Sequence, residues 1–442
     1  MNNQTLCLIT SLLLIAGMIT NYIKYRSLLA APVIYPALWV LSLLVLSIST
    51  NLDDVSTIVF LIILISYLLF SLGFLVFSKK QTIRVFSESR DSVKTNYNWL
   101  GIQIVFLSAI VIGFLYIFQI KKYVSFSEFF NNPLSLQRGI NSGLYAFPKF
   151  LVWLGVFIRC TFWYFSFLLI GMIRNKSNYL RRQGKTIVFL FEYLVVVFLT
   201  FIWQVTHFSR NSILFTLLPL LMMYFLIRKK SNKKIMLILS FGFIAFLVFF
   251  FWFNKQKFSW DYTSSNSGNE LNIKYFSLYL SGSFVGLAKL IDNSSIRMIS
   301  FNGLSHTFTL LLSIIDTIFG TSYSPDVVQE FVEIGDVGRS NVFTVVHWTA
   351  SDLGLLYSFA WMFLYGALYG VLYKKAIKGS NKCIYFYSLL FYSLSMMFFQ
   401  DQLLAISESW FFIITFSLII FTLCEKQPKA NCSYSLKISE QF

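Results

Sequence analysis

The stretch "VSTIVFLIILISYLLFSLGFLVFS", residues 55–78, contains no charged side chain and decides the fold class of this protein. A helix of about 20 apolar residues is long enough to cross the hydrocarbon of a bilayer. Similar runs recur along the whole chain of 442 residues, which is 57% hydrophobic and 12% charged. Ordinary soluble domains carry about 25% charged residues. The sequence therefore predicts an all-α polytopic membrane protein.

Eleven apolar windows predict eleven transmembrane helices, which we assign to a single integral membrane domain covering residues 1–442. The first run has no cationic segment before it and no small-residue cleavage site after it, so we interpret it as a retained span. The chain shows no internal repeat, which argues against an inverted-repeat transporter. The predicted helices cover residues 5–23, 31–50, 55–78, 99–120, 150–173, 186–205, 212–228, 235–253, 353–373, 383–400 and 405–424.

Lys and Arg residues follow every odd-numbered helix in short clusters, which hold 24 of the 36 Lys and Arg residues. By the positive-inside rule these connections are cytoplasmic, so the N-terminus faces outward and the C-terminus inward. The net charge of +17 therefore reflects membrane topology. We predict no nucleic-acid partner, because that would require a basic face on a soluble domain. The clusters are Lys24 with Arg26, residues 79–94, 174–185, 228–234 and 374–382, and the tail from Lys426.

Two long connections face outward in this scheme, residues 121–149 and residues 254–352. The second contains two apolar segments with helical spacing, "KYFSLYLSGSFVGLAKLID" at 274–292 and "LSHTFTLLLSIIDTIFG" at 304–320. We predict that both form amphipathic helices lying along the membrane surface. Every other outward connection is short, so we expect the functional site on the outer face.

Two charged residues lie well away from the ends of predicted spans, where a charge costs about 2.5–3.5 kcal/mol even on lenient insertion scales. Arg159 lies near the middle of the fifth helix, and Glu192 lies in the sixth, its antiparallel neighbour. Their depths differ by only several ångströms. We interpret them as a structural ion pair that fixes the packing of these two helices, in preference to a catalytic pair.

Three outward arginines stand apart from the lysine-rich clusters: Arg138, Arg210 and Arg339. A planar guanidinium binds phosphate or diphosphate in a bidentate manner better than lysine does. Arg210 lies in "THFSRNS", a short outward turn, where Asn211 and Ser212 open the next helix. Free backbone N–H groups at a helix start also favour an anion. Arg210 is therefore the first candidate for binding a diphosphate.

Candidate bases are also expected on the outer side. Histidine moves a proton most readily near neutral pH, which makes His347 and His207 candidates. The third histidine, His306, is not spaced with the others for zinc, and the five cysteines form no CxxC pair, so we predict neither a metal site nor a disulfide framework. The outer carboxylates at predicted span ends are Asp352, Asp401, Glu408 and Asp316.

The segment "NVFTVVHWTASDLGLLYSFAWMFLYGALYG", 341–370, leads from an Asn-x-Phe-Thr pattern at Asn341 through an Asp-x-Gly into a span with spaced glycines. Together with the 274–292 segment and the "SRN" entry at 209–211, it resembles the Wzy-type O-antigen or oligosaccharide repeat-unit polymerases. The plan of many helices with one large late outward loop is also similar to that family. The resemblance implies a membrane glycosyltransferase of the C type, acting on the periplasmic side of the bacterial inner membrane.

The resemblance implies undecaprenyl-diphosphate-linked oligosaccharides as substrates, membrane lipid as surroundings and a chain-length regulator protein as a partner. We expect Arg210 and Arg339 to hold the diphosphates with help from Arg138, and His347 or Asp352 to orient or deprotonate the acceptor hydroxyl. The further candidates are His207, Asn341, Asp401 and Glu408. No D-x-D pair is present, so neither a divalent ion nor another cofactor is expected. Aromatic faces for sugar stacking are Tyr275, Tyr279, Trp348 and Trp260.

Two alternatives remain open at this point. An O-antigen ligase resembles the polymerase in helix number and outer loop, so the sequence separates the two poorly. A flippase for lipid-linked oligosaccharides, or another transporter, should carry cations inside its spans along a cavity. Here the isolated arginines gather on one predicted face instead.

Overall fold

The computed structural model describes residues 2–49, 52–78, 97–125, 127–128, 136, 139–140, 144–145, 147–174, 184–206, 210–228, 231–242, 248, 268–293, 295–299, 307–319, 331–335 and 338–425. The chain divides into two compact units. The first comprises residues 1–90 and 208–411, and the second comprises residues 91–207 and 412–442.

The described elements are helices, apart from one short hairpin. The first seven helices are α1 (Asn3–Tyr25), α2 (Ala31–Ile48), α3 (Thr57–Ser78), α4 (Trp99–Lys121), α5 (Lys149–Arg174), α6 (Thr186–Thr206) and α7 (Arg210–Arg228). The later elements are α8 (Gly268–Asp292), α9 (Thr309–Phe319), the antiparallel strands β1 (Val332–Ile334) and β2 (Gly338–Ser340), α10 (His347–Leu353), α11 (Leu355–Ile377), α12 (Asn381–Met396), α13 (Gln402–Ala405) and α14 (Ser407–Cys424).

Within the described ranges, nine helices are long and apolar enough to cross a membrane, which confirms a multi-pass α-helical protein. They coincide with nine of the eleven predicted spans. The predicted span 235–253 is described as helix only at 232–242 and 248, so it stays a prediction. The predicted span 383–400 is a helix of 16 residues, because the chain turns after Met396 and Gln400 pairs with Thr344. The number of spans and their orientation also stay predictions.

The predicted surface position of the 274–292 segment is wrong. This segment is helical, as expected, within α8, but all nine residues from 280 to 288 are buried, so the helix is enclosed on every side rather than along one face. Ser281 and Ser283 donate hydrogen bonds to the carbonyl oxygens of Ser42 and Phe398, each at 2.7 Å. Small residues allow such close approach between helices in membranes. The segment is therefore part of the core of the first unit.

Helix α9 behaves differently. Its exposed large apolar side chains, Leu311, Ile314, Ile315 and Phe319, follow the i, i+3, i+4, i+8 spacing of one helix face. Its first residue is tied to α14, since the hydroxyl oxygens of Thr309 and Ser407 lie 2.9 Å apart. An amphipathic helix is present as predicted, and its position along the membrane surface stays a prediction.

Helices α3 and α11 cross with their backbones in direct contact. A Cβ atom added at Gly366 would lie 2.0 Å from the carbonyl oxygen of Phe70, and one added at Gly370 would lie 2.7 Å from that of Phe74. Pairs 70–366 and 74–370 run in the same direction, so the two helices are parallel. Gly366 and Gly370 form a G-x-x-x-G pair, a spacing that lets transmembrane helices approach closely. This crossing holds the centre of the first unit.

The second unit contains α4, α5 and α6 together with the C-terminal part of α14. Aromatic rings join α5 to α14, with the centroids of Trp153 and Phe412 5.1 Å apart and those of Tyr164 and Phe421 4.9 Å apart. The backbone N–H of Asn98 donates to the carbonyl of Cys424 at 2.7 Å. The unit is thus closed by its own last segment.

The predicted Arg159–Glu192 ion pair is replaced by two separate contacts. Among the described residues, Glu192 Oε1 accepts a hydrogen bond from Gln103 Nε2 at 2.7 Å rather than from Arg159. Arg159 is 6% exposed, and its guanidinium carbon lies 4.0 Å from the ring centroid of Trp203. A cation over a tryptophan face in a desolvated site gains about 2 kcal/mol or more. Arg159 therefore contacts the aromatic ring of Trp203 in place of the predicted Glu192 carboxylate, a contact that a search for opposite charges does not consider.

Candidate functional site

Three parts of the first unit meet near the beginning of α7. The hydroxyl of Tyr279 in α8 donates to Asn211 Oδ1 at 2.8 Å, and the Tyr279 ring centroid lies 4.6 Å from that of Phe399. Helix α7 begins at Arg210, whose side chain lies outside the part of the chain that the structure describes. The first backbone N–H groups of a helix have no partners within it and favour an anion. The start of α7, with this property, lies beside α8 and the turn after α12.

The turn formed by residues 397–401 holds the segment 341–353 by main-chain hydrogen bonds. The N–H of Thr344 donates to the carbonyl of Phe399 at 3.0 Å, and that of Val345 donates to Met397 at 2.9 Å. Thr344 has a φ of 54° in the left-handed region, which turns the chain toward α10. The position of His347, two residues after Val345, is therefore fixed by backbone contacts to the 397–401 turn.

His347 opens α10 in a buried position. It is 7% exposed, and its ring centroid lies 4.5 Å from that of Phe343. Phe343 in turn packs on α8 at Gly286, where an added Cβ atom would lie 2.6 Å from the Phe343 ring. Gly286 therefore permits the close approach of Phe343, the ring that His347 packs against, to α8.

One face of α8 carries all of these contacts. Tyr279, Ser283 and Gly286 are spaced by four and three residues, so they lie on the same side of the helix. Tyr279 contacts Asn211 and Phe399, Ser283 contacts the carbonyl of Phe398, and Gly286 faces the Phe343 ring. This face links the start of α7 to the segment that carries His347.

Asp352 lies near the other end of α10. It is 1% exposed, and its Oδ2 accepts a hydrogen bond from the backbone N–H of Thr307 at 2.6 Å. A buried carboxylate that accepts from a backbone N–H anchors the chain at that point. Asp352 therefore ties the residues before α9 to α10, and its part in catalysis stays a prediction.

Asp401 is buried and has partners on both oxygen atoms. Oδ1 accepts from the N–H groups of Leu403 and Leu404 at 2.9 and 3.1 Å, which caps the short helix α13. Oδ2 accepts from the hydroxyl of Tyr365 in α11 at 2.6 Å. Burial raises the pKa of Asp401 to about 6, against the lowering effect of these hydrogen bonds. The carboxyl thus fixes the 397–401 turn to α11 and α13.

Because the pKa of Asp401 is raised in the folded state, we expect this residue to contribute to the free energy of unfolding in a pH-dependent manner. Its pKa rises from an ordinary 3.8 to about 6 in the folded state, so the folded protein binds this proton more tightly. The contribution is complete below pH 4 and is lost as the pH rises through 6, a change of about 3 kcal/mol. Asp401→Asn keeps the Oδ1 cap but cannot titrate. We expect the variant to lose this part of the pH dependence of the thermal midpoint between pH 4 and 7.

The matched control for this measurement is Glu408→Gln, which removes an exposed carboxyl in the first turn of α14. We expect its thermal midpoint to follow the wild-type curve. An Asp401→Asn curve parallel to that of the wild-type protein at every pH would show that Asp401 does not bind its proton more tightly in the folded state.

Arg339 lies apart from these contacts, on the β1–β2 hairpin. Its Nη2 is 2.8 Å from Glu333 Oε1, and 67% of its side chain is exposed. Lys289 ties the hairpin to α8, since its Nζ donates a hydrogen bond to the Glu333 carbonyl at 2.7 Å. The same Nζ also forms an ion pair with Asp53 Oδ2 at 2.5 Å. The Lys289 hydrogen bond lowers the pKa of Asp53. The guanidinium of Arg339 is thus paired with a carboxylate at the surface.

The remaining predicted residues are distributed as follows. Trp348 is 1% exposed, so its ring is enclosed by protein, whereas Glu408 is exposed and Asn341 is half-buried. Within the described ranges, no three His, Cys, Asp or Glu side chains gather where a metal ion could bind. Arg138, His207, Trp260 and the side chains of Tyr275 and Asp316 lie outside the described residues.

The 397–401 turn and the contact made by Tyr365 were not predicted from the sequence. Phe398 and Phe399 are apolar and fall within the predicted span 383–400. In the structure their carbonyl groups accept hydrogen bonds from the Ser283 hydroxyl and the Thr344 N–H. No hydropathy signal distinguishes a span end from such a turn. The polar pair Gln400–Asp401 directly after the phenylalanines was the available signal.

Comparisons of this chain with protein-family models, with curated proteins and with solved structures give no match.

Proposed function

We propose that this protein is a polymerase of lipid-linked oligosaccharide repeat units, for O-antigen or a similar surface polysaccharide. It acts as a multi-pass protein of the bacterial inner membrane, with its site toward the periplasm. It transfers the growing chain from undecaprenyl diphosphate to a sugar hydroxyl of an undecaprenyl-diphosphate-linked repeat unit. The proposal is supported by the resemblance of segment 341–370 and by the nature of the residues at the start of α7 and α10.

The reaction requires two protein groups. The acceptor hydroxyl oxygen bonds to the anomeric carbon of the chain as the bond from that carbon to the diphosphate breaks. The diphosphate leaves with the electron pair, and a cation stabilises its charge. A base takes the hydroxyl proton. We assign the cation to Arg210 and the base to His347, because Asp352 Oδ2 is engaged by the Thr307 N–H.

One observation carries the proposal. Arg210 begins α7 one residue before Asn211, and Asn211 accepts the hydroxyl of Tyr279, whose ring packs on Phe399. The carbonyl of that same Phe399 binds Thr344, three residues before His347. The candidate cation and the candidate base are thus carried by segments joined through a single turn. Arg339, paired with Glu333 on the hairpin, is a less direct candidate.

Deletion of the encoding gene tests the proposal against both alternatives. Without a polymerase, the cell still exports and attaches single repeat units, so we expect surface lipopolysaccharide capped with one repeat. Loss of a flippase or a ligase would leave lipopolysaccharide without any repeat. Gel separation of the extracted lipopolysaccharide distinguishes these patterns, and a deletion strain that retains long chains, or that shows no capped species, would exclude the polymerase. Re-expression of the wild-type gene should restore the long chains.

A further inference from the structure

The end of the first unit that includes the α1–α2 connection carries a basic surface that the proposed reaction does not use. Three cationic segments lie there, residues 24–26, 231–234 and 374–382, and none of them contains Asp or Glu. They are separated by about 200 and 140 positions in sequence, so only the fold brings them together. The exposed members of this basic surface are Lys24, Arg26, Lys233, Lys234, Lys375, Lys378 and Lys382.

Asn232 joins the second segment to the first. Its Nδ2 donates to the Tyr22 hydroxyl at 3.2 Å and to the Arg26 carbonyl at 3.1 Å. Its Oδ1 accepts from the Leu28 N–H at 3.4 Å. One side chain thus binds the turn between α1 and α2 on both sides of Arg26, which places Lys233 and Lys234 next to that turn.

Aromatic residues join the third segment to the same turn. The Tyr387 hydroxyl donates to the Leu29 carbonyl at 2.7 Å, and the Tyr25 and Tyr373 ring centroids are 6.4 Å apart. Tyr373 precedes Lys374 directly. Gly379, with a φ of 92°, then reverses the chain and keeps Lys378 and Lys382 at this end.

The depth of these cations identifies the kind of partner. Lys24 lies in the last turn of α1, and Lys374 and Lys375 lie in the last turn of α11, two helices that are long and apolar enough to span a bilayer. Cations at span ends lie at the level of lipid headgroups. A cluster of about four to eight Lys and Arg residues at that level attracts anionic lipid.

We propose that this basic surface binds the headgroups of anionic phospholipids in the adjoining leaflet. The partner is a membrane surface carrying negative phosphodiester groups, such as phosphatidylglycerol. The segments have no acidic residues to neutralise them, and Asn232 and Tyr387 hold them at one place. Binding at this surface is independent of the proposed polymerase reaction.

The test uses the purified full-length chain in neutral detergent, titrated with phosphatidylglycerol or with phosphatidylcholine. We expect only phosphatidylglycerol to raise the thermal midpoint, and about 0.5 M NaCl to abolish the rise, because salt screens exposed charges. Lys233→Gln/Lys234→Gln and Lys375→Gln/Lys378→Gln should each weaken the apparent affinity about tenfold or more. Lys233→Arg/Lys234→Arg should retain wild-type binding, which separates charge loss from misfolding.

The matched control is Lys121→Gln/Lys122→Gln, which removes two exposed lysines of the second unit and should leave the titration unchanged. Equal stabilisation by the two lipids would overturn the proposal, as would wild-type titrations of both glutamine pairs. Stabilisation by polyglutamate through the same lysines, with no effect of phosphatidylglycerol, would identify an acidic protein partner instead and would also overturn it.

Discussion

Replacement of Gly366 by valine is expected to reduce the yield of folded protein several-fold. Any Cβ at this position would lie 2.0 Å from the Phe70 carbonyl oxygen, a backbone atom that cannot rotate away. Helices α3 and α11 would have to separate, and the facing Gly73, whose own Cβ would lie 2.1 Å from the Phe363 carbonyl oxygen, would lose its contact as well. Overpacking of this kind costs about 1–3 kcal/mol and occasionally more. A loss of about 1–2 kcal/mol changes protein abundance several-fold.

The measurement is the monodisperse fraction of detergent-extracted protein on size exclusion, with the thermal midpoint of that fraction. Gly171→Val is the matched control, since Gly171 also lies in a spanning helix and an added Cβ would meet nothing within 4 Å. We expect the control to keep the wild-type yield, since valine has a slightly better helix propensity than glycine. Equal yields for the two variants would show that the α3–α11 backbone contact does not limit folding.

Replacement of Arg210 by lysine is expected to shorten the surface polysaccharide to one or a few repeats while the protein is still inserted. Lysine keeps the charge but lacks the planar fork that binds two phosphate oxygens at once. Removing one well-placed donor to a developing anion typically lowers a rate by about 100- to 1,000-fold. Arg210→Ala should have at least as large an effect. The measurement is the gel ladder of lipopolysaccharide, normalised to the amount of membrane-inserted protein.

Arg228→Lys provides the matched control, because Arg228 is the last residue of the same helix and lies at the opposite end from Arg210. Its ladder should match that of the wild-type strain. Near-normal chain lengths in the Arg210→Lys variant would show that only the positive charge of Arg210 is needed. Near-normal chain lengths in the Arg210→Ala variant would show that Arg210 does not bind the diphosphate.

The helices that cross the membrane were predictable from the sequence, whereas a helix buried within the protein was less predictable. Long uncharged runs such as Thr57–Ser78 identify spans directly, because only a helix satisfies its backbone in hydrocarbon. Helix α8 also has many apolar residues, between charged residues near its two ends, and the sequence does not say whether lipid or protein covers them. Its small residues Ser281, Gly282, Ser283 and Gly286 were the available sign of burial, since they suit close helix packing better than a membrane surface.

The residues of the candidate site were predictable from the sequence, whereas the contacts between them were less predictable. His347 and Asn211 were identified from local sequence, and the structure carries them on segments joined through Phe399. The side chain that donates a hydrogen bond to Asp401 is Tyr365, 36 residues earlier in the chain. The aromatic ring that the Arg159 guanidinium contacts at 4.0 Å is Trp203, 44 residues later. Such pairs depend on which helix faces meet, and hydropathy and charge spacing do not determine this.

The proposed joining of lipid-linked repeat units can be measured with the purified protein in liposomes, with undecaprenyl-diphosphate-linked repeat units as the sole substrate. We expect lipid-linked products with two, three and more repeats, and one undecaprenyl diphosphate released for each transfer. Arg210→Ala protein should yield far less of both. Recovery of single repeat units alone, whether unchanged or moved across the bilayer, would exclude the proposed polymerase activity.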